Sequence, residues 1–396
     1  MNQRSLFLQH VAQTSLAPLA LEITKAEGCN LYDANGKKYI DLIGGISVAN
    51  TGHRHPAVIK AIQKQLDDYM HIMVYGEFVQ SPQVQYAKKL TEHLPEKLNS
   101  VYFTNSGAEA VEGAMKLAKR VTNRTKIIAA NNAYHGSTQG ALSILGDEYW
   151  RNAFRPLLPG IVHVDYNSDE CIKEIDNRTA CVILETVQGE AGVIAPQKEW
   201  IQAIREKCTA TGALLVLDEI QAGFGRTGKL WGFENFGIEP DVLLLGKALG
   251  GGMPLGAFIA NRDLMILLAS NPVLGHITTF GGHPVCCAAG LAAFEVLLQE
   301  NIINTVKDKE QLFLSLLQHP KIKYIHSFGL WMAVGFDSFD TNKKVIDVLI
   351  AREELAVITD WFLFASDCLR ISPPLTISNE EIKIACEIIL ESLSML

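Results

Sequence analysis

The chain has 396 residues, 48% of them hydrophobic and 20% charged, with 35 Lys and Arg against 43 Asp and Glu for a net charge of −8. That length suits about two domains with a sizeable core, and the composition excludes a disordered chain. Basic residues group only in pairs such as Lys37-Lys38, Lys88-Lys89 and Lys343-Lys344, so no nucleic-acid footprint is expected.

Met1–Leu21 mixes Gln, Arg, His and Ser with its leucines and lacks the basic-then-apolar layout of a signal peptide. No run approaches the ~18 apolar residues of a spanning helix, so the reading is a cytoplasmic protein without a membrane partner. Asn30–Tyr32 and Lys38–Asp41 flank Asn35-Gly36, which predicts a type I′ hairpin. His55-Pro56 opens a helix with Val58, Ile59, Ile62 and Leu66 on one face, and a second helix spans 81–93.

From residue 100, short apolar runs alternate with helical stretches. Val101–Thr104 feeds a helix over 107–122, followed by runs at Ile127–Ala130, Ile161–Val164, Cys181–Leu184, Ala213–Leu217, Val242–Leu245 and Ala257–Ala260. Apolar residues at consecutive positions fit strands covered on both faces, and helices such as Glu199–Thr209 separate several of them. The expectation is an α/β fold with an open, mostly parallel sheet. After about residue 300, helices over 304–318 and 343–354 alternate with strands at 330–336 and 369–371. Ser378 and Glu381 then form a capping box at the last helix, which makes this stretch a smaller α+β unit. Eight cysteines include no C-x-x-C pair, so they read as buried thiols of a reducing compartment. His53 and His55 stand without a cysteine pair, so no metal is expected.

Gly223–Gly228 fits G-x-G-x-x-G and, with Lys229, most of a P-loop. Leu230 replaces the Ser/Thr that would hold magnesium, and Leu230–Phe233 do not read as the helix both motifs require. Thr104–Glu109 is a better phosphate cradle, because it lies between a strand and a helix whose first N–H groups face an anion. Leu214–Leu217 ends in Asp218, where ligands gather in open α/β sheets. Leu244-Leu245-Gly246-Lys247 puts an amine at the end of a buried strand, followed by Gly250–Gly252, and a desolvated lysine is suited to Schiff-base chemistry. An anchor for phosphate, a carboxylate for a pyridine nitrogen and a covalent lysine together suit pyridoxal 5′-phosphate.

With these residues the sequence resembles the class III, ornithine-type aminotransferases of pyridoxal-phosphate fold type I. The match runs in order through Gly52–Pro56, Ser106–Ala110, Tyr134–Gly136, Glu185–Glu190, Asp218–Gln221, Gly246–Gly252, Thr278–Gly282 and Arg370–Leu375. The resemblance implies a seven-stranded, mostly parallel sheet in a cofactor-binding domain over residues 51–300. Residues 1–50 and 301–396 would form the small domain.

By the same resemblance Lys247 carries the Schiff base, Asp218 faces the pyridine nitrogen and Gln221 lies near the ring's 3′-oxygen. Tyr134 stacks on the ring with His135 beside it, and Ser106, Gly107 and Ala108 form the phosphate loop. Members often have Thr at the position of Ala108, and that hydroxyl is absent here. Thr279 would reach the phosphate of a neighbouring subunit's cofactor, which implies a homodimer with shared sites. Arg370 would grip the carboxylate of glutamate or 2-oxoglutarate, with Glu190 pairing it in between, and Thr278 and Ile46 would line the substrate pocket.

Many acetylornithine, ornithine and 4-aminobutyrate members have Arg where this chain has Ser137. Gly140–Ser143, Pro156–Gly160, Asn271-Pro272 and Thr278–Phe280 look more like the putrescine aminotransferases. The expected reaction therefore moves a terminal amino group from an ornithine- or acetylornithine-like amino acid, or a diamine, to 2-oxoglutarate by a ping-pong mechanism. Transfer from 4-aminobutyrate or lysine, and an aminomutase, racemase or decarboxylase on the same fold, stand as alternatives.

Overall fold

The computed structural model describes residues 2–396. Its strands in chain order are β1 (Ile23–Glu27), β2 (Asn30–Asp33), β3 (Lys38–Asp41), β4 (Ser100–Thr104), β5 (Lys126–Ala130), β6 (Ile161–Val164) and β7 (Thr179–Glu185). There follow β8 (Leu214–Asp218), β9 (Val242–Leu245), β10 (Gly256–Ala260), β11 (Tyr324–Ser327), β12 (Met332–Gly335), β13 (Leu355–Ile358) and β14 (Cys368–Ile371). The central sheet has seven strands in the order β4-β10-β9-β8-β7-β5-β6. Only β10 runs antiparallel to its two neighbours.

Consecutive apolar residues in these strands serve two separate cores. Val182 and Leu184 of β7, Leu215 and Leu217 of β8, and Leu243 and Leu245 of β9 pack on one face. Cys181, Ile183, Val216, Val242 and Leu244 pack on the other. The alternation of side chains along a strand divides one apolar run between both faces, and each large buried side chain contributes roughly 1.5–3 kcal/mol. The helix Gly107–Thr122 covers the second face with Ala110, Val111, Ala114, Met115, Leu117 and Ala118. It comes so close that a Cβ on Gly113 would lie 2.3 Å from the Phe258 ring. Lys198–Thr211 and Pro284–Gln299 pack on the opposite face.

Two smaller sheets flank this layer, in the orders β1-β2-β3-β13 and β11-β12-β14. The parallel pairing of β3 with β13 ties an early segment of the chain to a late one.

Several expectations need correction. The β2–β3 loop is not type I′, since Gly36 alone has a positive φ (83°). Gly36 N–H donates to Asp33 O and Asp33 N–H to Lys37 O, which is a three-residue loop closed by a glycine bulge. Asp33 Oδ1 accepts from the amides of Asn35 and Lys37 and holds that shape. The helix expected over 343–354 spans Phe339–Ala351, because Ser338 caps it earlier through Thr341 N–H. The helix expected over 304–318 is an α-helix only from Val306 to Leu316, after a 3₁₀ turn. At the last helix both halves of the Ser378–Glu381 capping box form.

Candidate active site

The carboxyl ends of β7, β8 and β9 deliver Glu185, Asp218 and Lys247 to one cavity of about 490 Å³, beside the helix N-terminus at Gly107 and Ala108. Asp218 is 5% exposed. Its Oδ1 accepts from Ile220 N–H at 2.9 Å and its Oδ2 meets His135 Nδ1 at 2.7 Å. Burial alone would lower the His135 pKa, but the hydrogen bond and charge of Asp218, with Glu185 beyond, raise it above the ordinary value. His135 therefore acts on the site through Asp218.

Lys247 lies one residue beyond β9, after Gly246, and has φ = 47°, a left-handed conformation rare outside glycine. Its Nζ donates to Gln221 Oε1 at 2.7 Å, and Gln221 Nε2 donates to Ser47 Oγ at 3.1 Å. Burial holds the ammonium below its usual pKa against the pull of Glu190 and Asp218. The result is an amine more readily neutral than a surface lysine, as a nucleophile for a carbonyl requires.

Glu185 closes the floor, taking Tyr134 N–H at 3.0 Å and Gly189 N–H at 2.8 Å. Burial and the charge of Asp218 push its pKa up to about 7, although His135 opposes the shift. Tyr134 and Val187 line the walls, and the Tyr134 hydroxyl lies 3.2 Å from Ser137 Oγ.

A second cavity of about 530 Å³ shares Tyr134, Glu190 and Lys247 with the first and extends to Arg370, Asp360 and Ile46. Arg370 is 3% exposed on β14, so its charge must be compensated. Glu190 does this end-on, with Oε1 at 3.0 Å from one terminal nitrogen and Oε2 at 2.9 Å from the other. Asp360 Oδ1 takes the Arg370 Nε–H at 2.7 Å. Burial alone would raise the Glu190 pKa, but Arg370 and Leu363 N–H bring it below the ordinary carboxylate range.

The structure thus gathers Lys247, Asp218, Gln221, Tyr134, His135, Gly107, Ala108, Ser137, Glu190, Arg370 and Ile46 around two joined cavities. Three expected residues stand apart. The exposed Ser106 spends its hydroxyl on Glu109 N–H as the helix cap. Thr278 Oγ1 accepts from Gly281 N–H, and Thr279 is exposed; neither lines these cavities.

Sequence reasoning missed Glu185, Val187, Asp360 and Ser47. Glu185 carried a signal, since it ends an apolar run one strand away from Asp218. Asp360 and Ser47 carried none. Of the decoy motif, the Gly223–Gly228 loop leads into a 3₁₀ turn over Gly232–Phe236 rather than an α-helix. Glu219, next to Asp218, holds that turn by accepting from Gly232 N–H and Phe233 N–H.

The fit of this site to pyridoxal phosphate can be tested on close approaches. A Cβ on Gly107 would lie 2.7 Å from Ile220 Cδ1, and one on Gly136 2.5 Å from Ala108 Cβ, so both glycines keep the helix N-terminus packed into the cavity wall. The first amides of that helix have no partner within it and suit a phosphate. A buried carboxylate, an aromatic wall and a partly desolvated lysine complete what the phosphorylated pyridine aldehyde needs. The residues fit the group.

Comparison with known proteins agrees with that chemistry. The family profile for class-III aminotransferases matches residues 11–393. The chain is 36% identical over 384 residues to an acetylornithine aminotransferase of Caldanaerobacter subterraneus, with 94% of each covered. It is 38% identical over 379 residues to one of Methanopyrus kandleri, again with 94% of each covered. An ornithine aminotransferase from Toxoplasma gondii superposes with a TM-score of 0.90 at 30% identity, covering 99% of this chain and 94% of that one. An (S)-enantioselective omega-transaminase from Thermomicrobium roseum gives 0.89 at 27% identity, covering 98% and 96%. A profile spanning nearly every residue, with relatives matched almost end to end, places this chain in the class III aminotransferases, enzymes that depend on pyridoxal phosphate.

Proposed function

We propose that this chain moves the terminal amino group of an ornithine- or acetylornithine-like amino acid, or of a diamine, to 2-oxoglutarate, forming glutamate in a ping-pong cycle. The observation that carries this reading is the end-on Arg370–Glu190 pair in a cavity shared with Lys247. Bound pyridoxal phosphate supplies an electrophilic carbon for the amine and a ring that accepts electrons from a broken C–H bond.

Lys247 holds the cofactor through its ε-amine. With the cofactor bound, its Nζ would be the base that takes the proton from the amino-bearing carbon of the donor and the acid that returns it. Asp218, oriented by His135, would keep a proton on the pyridine nitrogen, and Gln221 would serve the 3′-oxygen. The amides of Gly107 and Ala108 would hold the phosphate, and Tyr134 would pack against the ring. Glu190 neutralises Arg370 while a donor without a nearby carboxylate reacts, then yields the guanidinium to the carboxylate of 2-oxoglutarate. Ser137 and Ile46 border the donor.

We read residues 51–300 as the cofactor-binding domain and 1–50 with 301–396 as the small one, a division supported by the β3–β13 pairing. We read the enzyme as a homodimer in which Thr279 serves the neighbouring subunit's cofactor and Thr278 the substrate pocket. Exposed Val273, Leu274, Ile277 and Phe280 around them support a covered face. Eight buried, unbridged cysteines support a cytoplasmic setting.

A panel of amine donors with 2-oxoglutarate, read as glutamate formed, tests the reading. Glutamate should appear with ornithine, N-acetylornithine or 1,4-diaminobutane. Its absence with every ω-amine would overturn the assignment.

A further inference from the structure

Arg370 is held by two carboxylates, and only one of them keeps an oxygen unspent. Glu190 spends both oxygens on the terminal nitrogens, and its Oε2 also accepts from Leu363 N–H at 2.9 Å. Asp360 approaches from the side, through Oδ1 to Nε. Its second oxygen, Oδ2, accepts no hydrogen bond among the described residues, and the side chain is 29% exposed where it lines the cavity.

The charges around Asp360 do not balance. Asp41 of β3, whose charge is felt at Asp360, is already satisfied by His53 Nε2 at 2.7 Å and by the amides of Ile43 and Gly44. Lys343, at the rim of the same cavity, is engaged by both oxygens of Asp347. Lys247 belongs to the cofactor. One guanidinium is therefore shared by two carboxylates, and Asp360 keeps an unengaged acceptor on the cavity wall. Burial, with Glu190 and Asp41 adding to it, raises the Asp360 pKa despite Arg370, as expected where negative charge is under-compensated.

An incoming ligand can supply the missing cation. We propose that Asp360 is a specificity-determining residue for the amino donor, its free oxygen receiving a second ammonium group on a diamine or an unacylated basic amino acid. The proposal rests on the aminotransferase reading above and deepens it. One nitrogen of such a donor reacts near Lys247 as the free amine, its proton lost beforehand, while the other meets Asp360 as an ammonium. Acylation removes that second cation and leaves the carboxylate without a partner, so an N-acylated amino acid is the poorer donor. Ser137 agrees with this preference, since it offers a hydroxyl and no cation to a donor carboxylate.

The test is a half-reaction on the holoenzyme, following loss of the cofactor's visible band against donor concentration. The concentration dependence gives an apparent Kd and the plateau gives the limiting rate. Donors are 1,4-diaminobutane, N-acetylornithine and glutamate, for wild type, Asp360→Asn and Asp360→Glu. Wild type should bind 1,4-diaminobutane at least ~10-fold tighter than N-acetylornithine, the scale of one charge-assisted hydrogen bond. Asp360→Asn should weaken the diamine ~10–100-fold with little change in limiting rate. It should weaken glutamate, which uses Arg370, far less than the diamine, because an amide oxygen can still accept from Arg370 Nε–H, and Asp360→Glu should recover part of the diamine loss.

Equal weakening of glutamate and diamine would show that Asp360 only orients Arg370, and would overturn the proposal. So would an unchanged diamine Kd in Asp360→Asn, a wild type that prefers N-acetylornithine, or one bleached by glutamate but not by the diamine. A wild type bleached by none of the three would instead overturn the aminotransferase reading beneath it.

Discussion

Lys247, Asp218 and Arg370 each stand where a charge is desolvated next to a named partner, so each substitution has its own signature. On the proposed mechanism Lys247→Ala removes the amine that would bind the cofactor and move the proton, and turnover should vanish. Borohydride should fix the cofactor on Lys247 in the wild type; a label on Lys229, in the glycine-rich decoy, would defeat the assignment. Asp218→Asn keeps shape and removes charge, and proton abstraction followed by stopped-flow should slow at least ~100-fold, as for loss of one preorganised electrostatic group. The same substitution removes the partner that raises the His135 pKa above 6.5. A raised histidine pKa stabilises the fold below its unfolded value, and that contribution fades as pH rises through the folded value. The stability gap between wild-type and Asp218→Asn apoenzymes, read from urea midpoints, should therefore be widest below about pH 6.5 and narrow above it. Arg370→Ala should raise KM for 2-oxoglutarate strongly while the donor half-reaction proceeds. A donor half-reaction lost to the same degree would remove Arg370 from its assigned role.

Gly44–Ser47 is the element with the least ordinary backbone, four successive residues at φ between 57° and 64°. Ser47 N–H donates to Ile43 O at 3.0 Å and Val48 N–H to Gly44 O at 2.8 Å, closing a left-handed helical turn. For an L-residue this conformation costs roughly 1–2 kcal/mol, more for β-branched Ile46, and such strain collects at functional sites. The turn delivers Ser47 to Gln221 and Ile46 to the cavity beside Arg370. Ile46→Gly should leave the thermal midpoint nearly unchanged, because relief of strain offsets lost packing and greater freedom of the unfolded chain. A fall as large as the 2–5 kcal/mol of a core truncation would refute that balance. Gly44-Gly45 permits a left-handed turn, but nothing in the sequence announces its continuation through Ile46 and Ser47, whereas the strands leading to Asp218 and Lys247 were legible from consecutive apolar residues. The helix Pro284–Gln299 escaped notice because it is apolar almost all round and has no polar face to set a period. Strands β1 and β11 escaped for the opposite reason, with largely exposed residues and no apolar face. Long-range partners such as Ser47 for Gln221 depend on how the chain returns on itself, which local pattern does not encode.

Arg226 shows what the decoy motif is for. It is fully buried, and it donates to Leu330 O and Pro373 O at 2.7 Å and to Asn50 Oδ1 at 2.7 Å. No carboxylate is among these partners, and burial pushes its pKa down to about 9. One guanidinium thus pins early and late parts of the chain to the loop after β8. Arg226→Lys cannot span three acceptors and should cost about 2–4 kcal/mol in a urea titration, since orphaned buried carbonyls cost ~1–3 kcal/mol each. Added nucleotide should leave the wild-type melting temperature unmoved; a shift would restore the loop as a phosphate site. The pairing of β3 with β13 carries a further consequence, for biosynthesis. Lys38–Asp41 leaves the ribosome about 300 residues before its partner Leu355–Ile358. At ~5–20 residues per second, that strand edge waits roughly 15–60 s for cover. During that interval the β1–β3 hairpins offer an open edge to other nascent chains. Nascent chains stalled before residue 355 should therefore be bound by chaperones more strongly than chains released at full length.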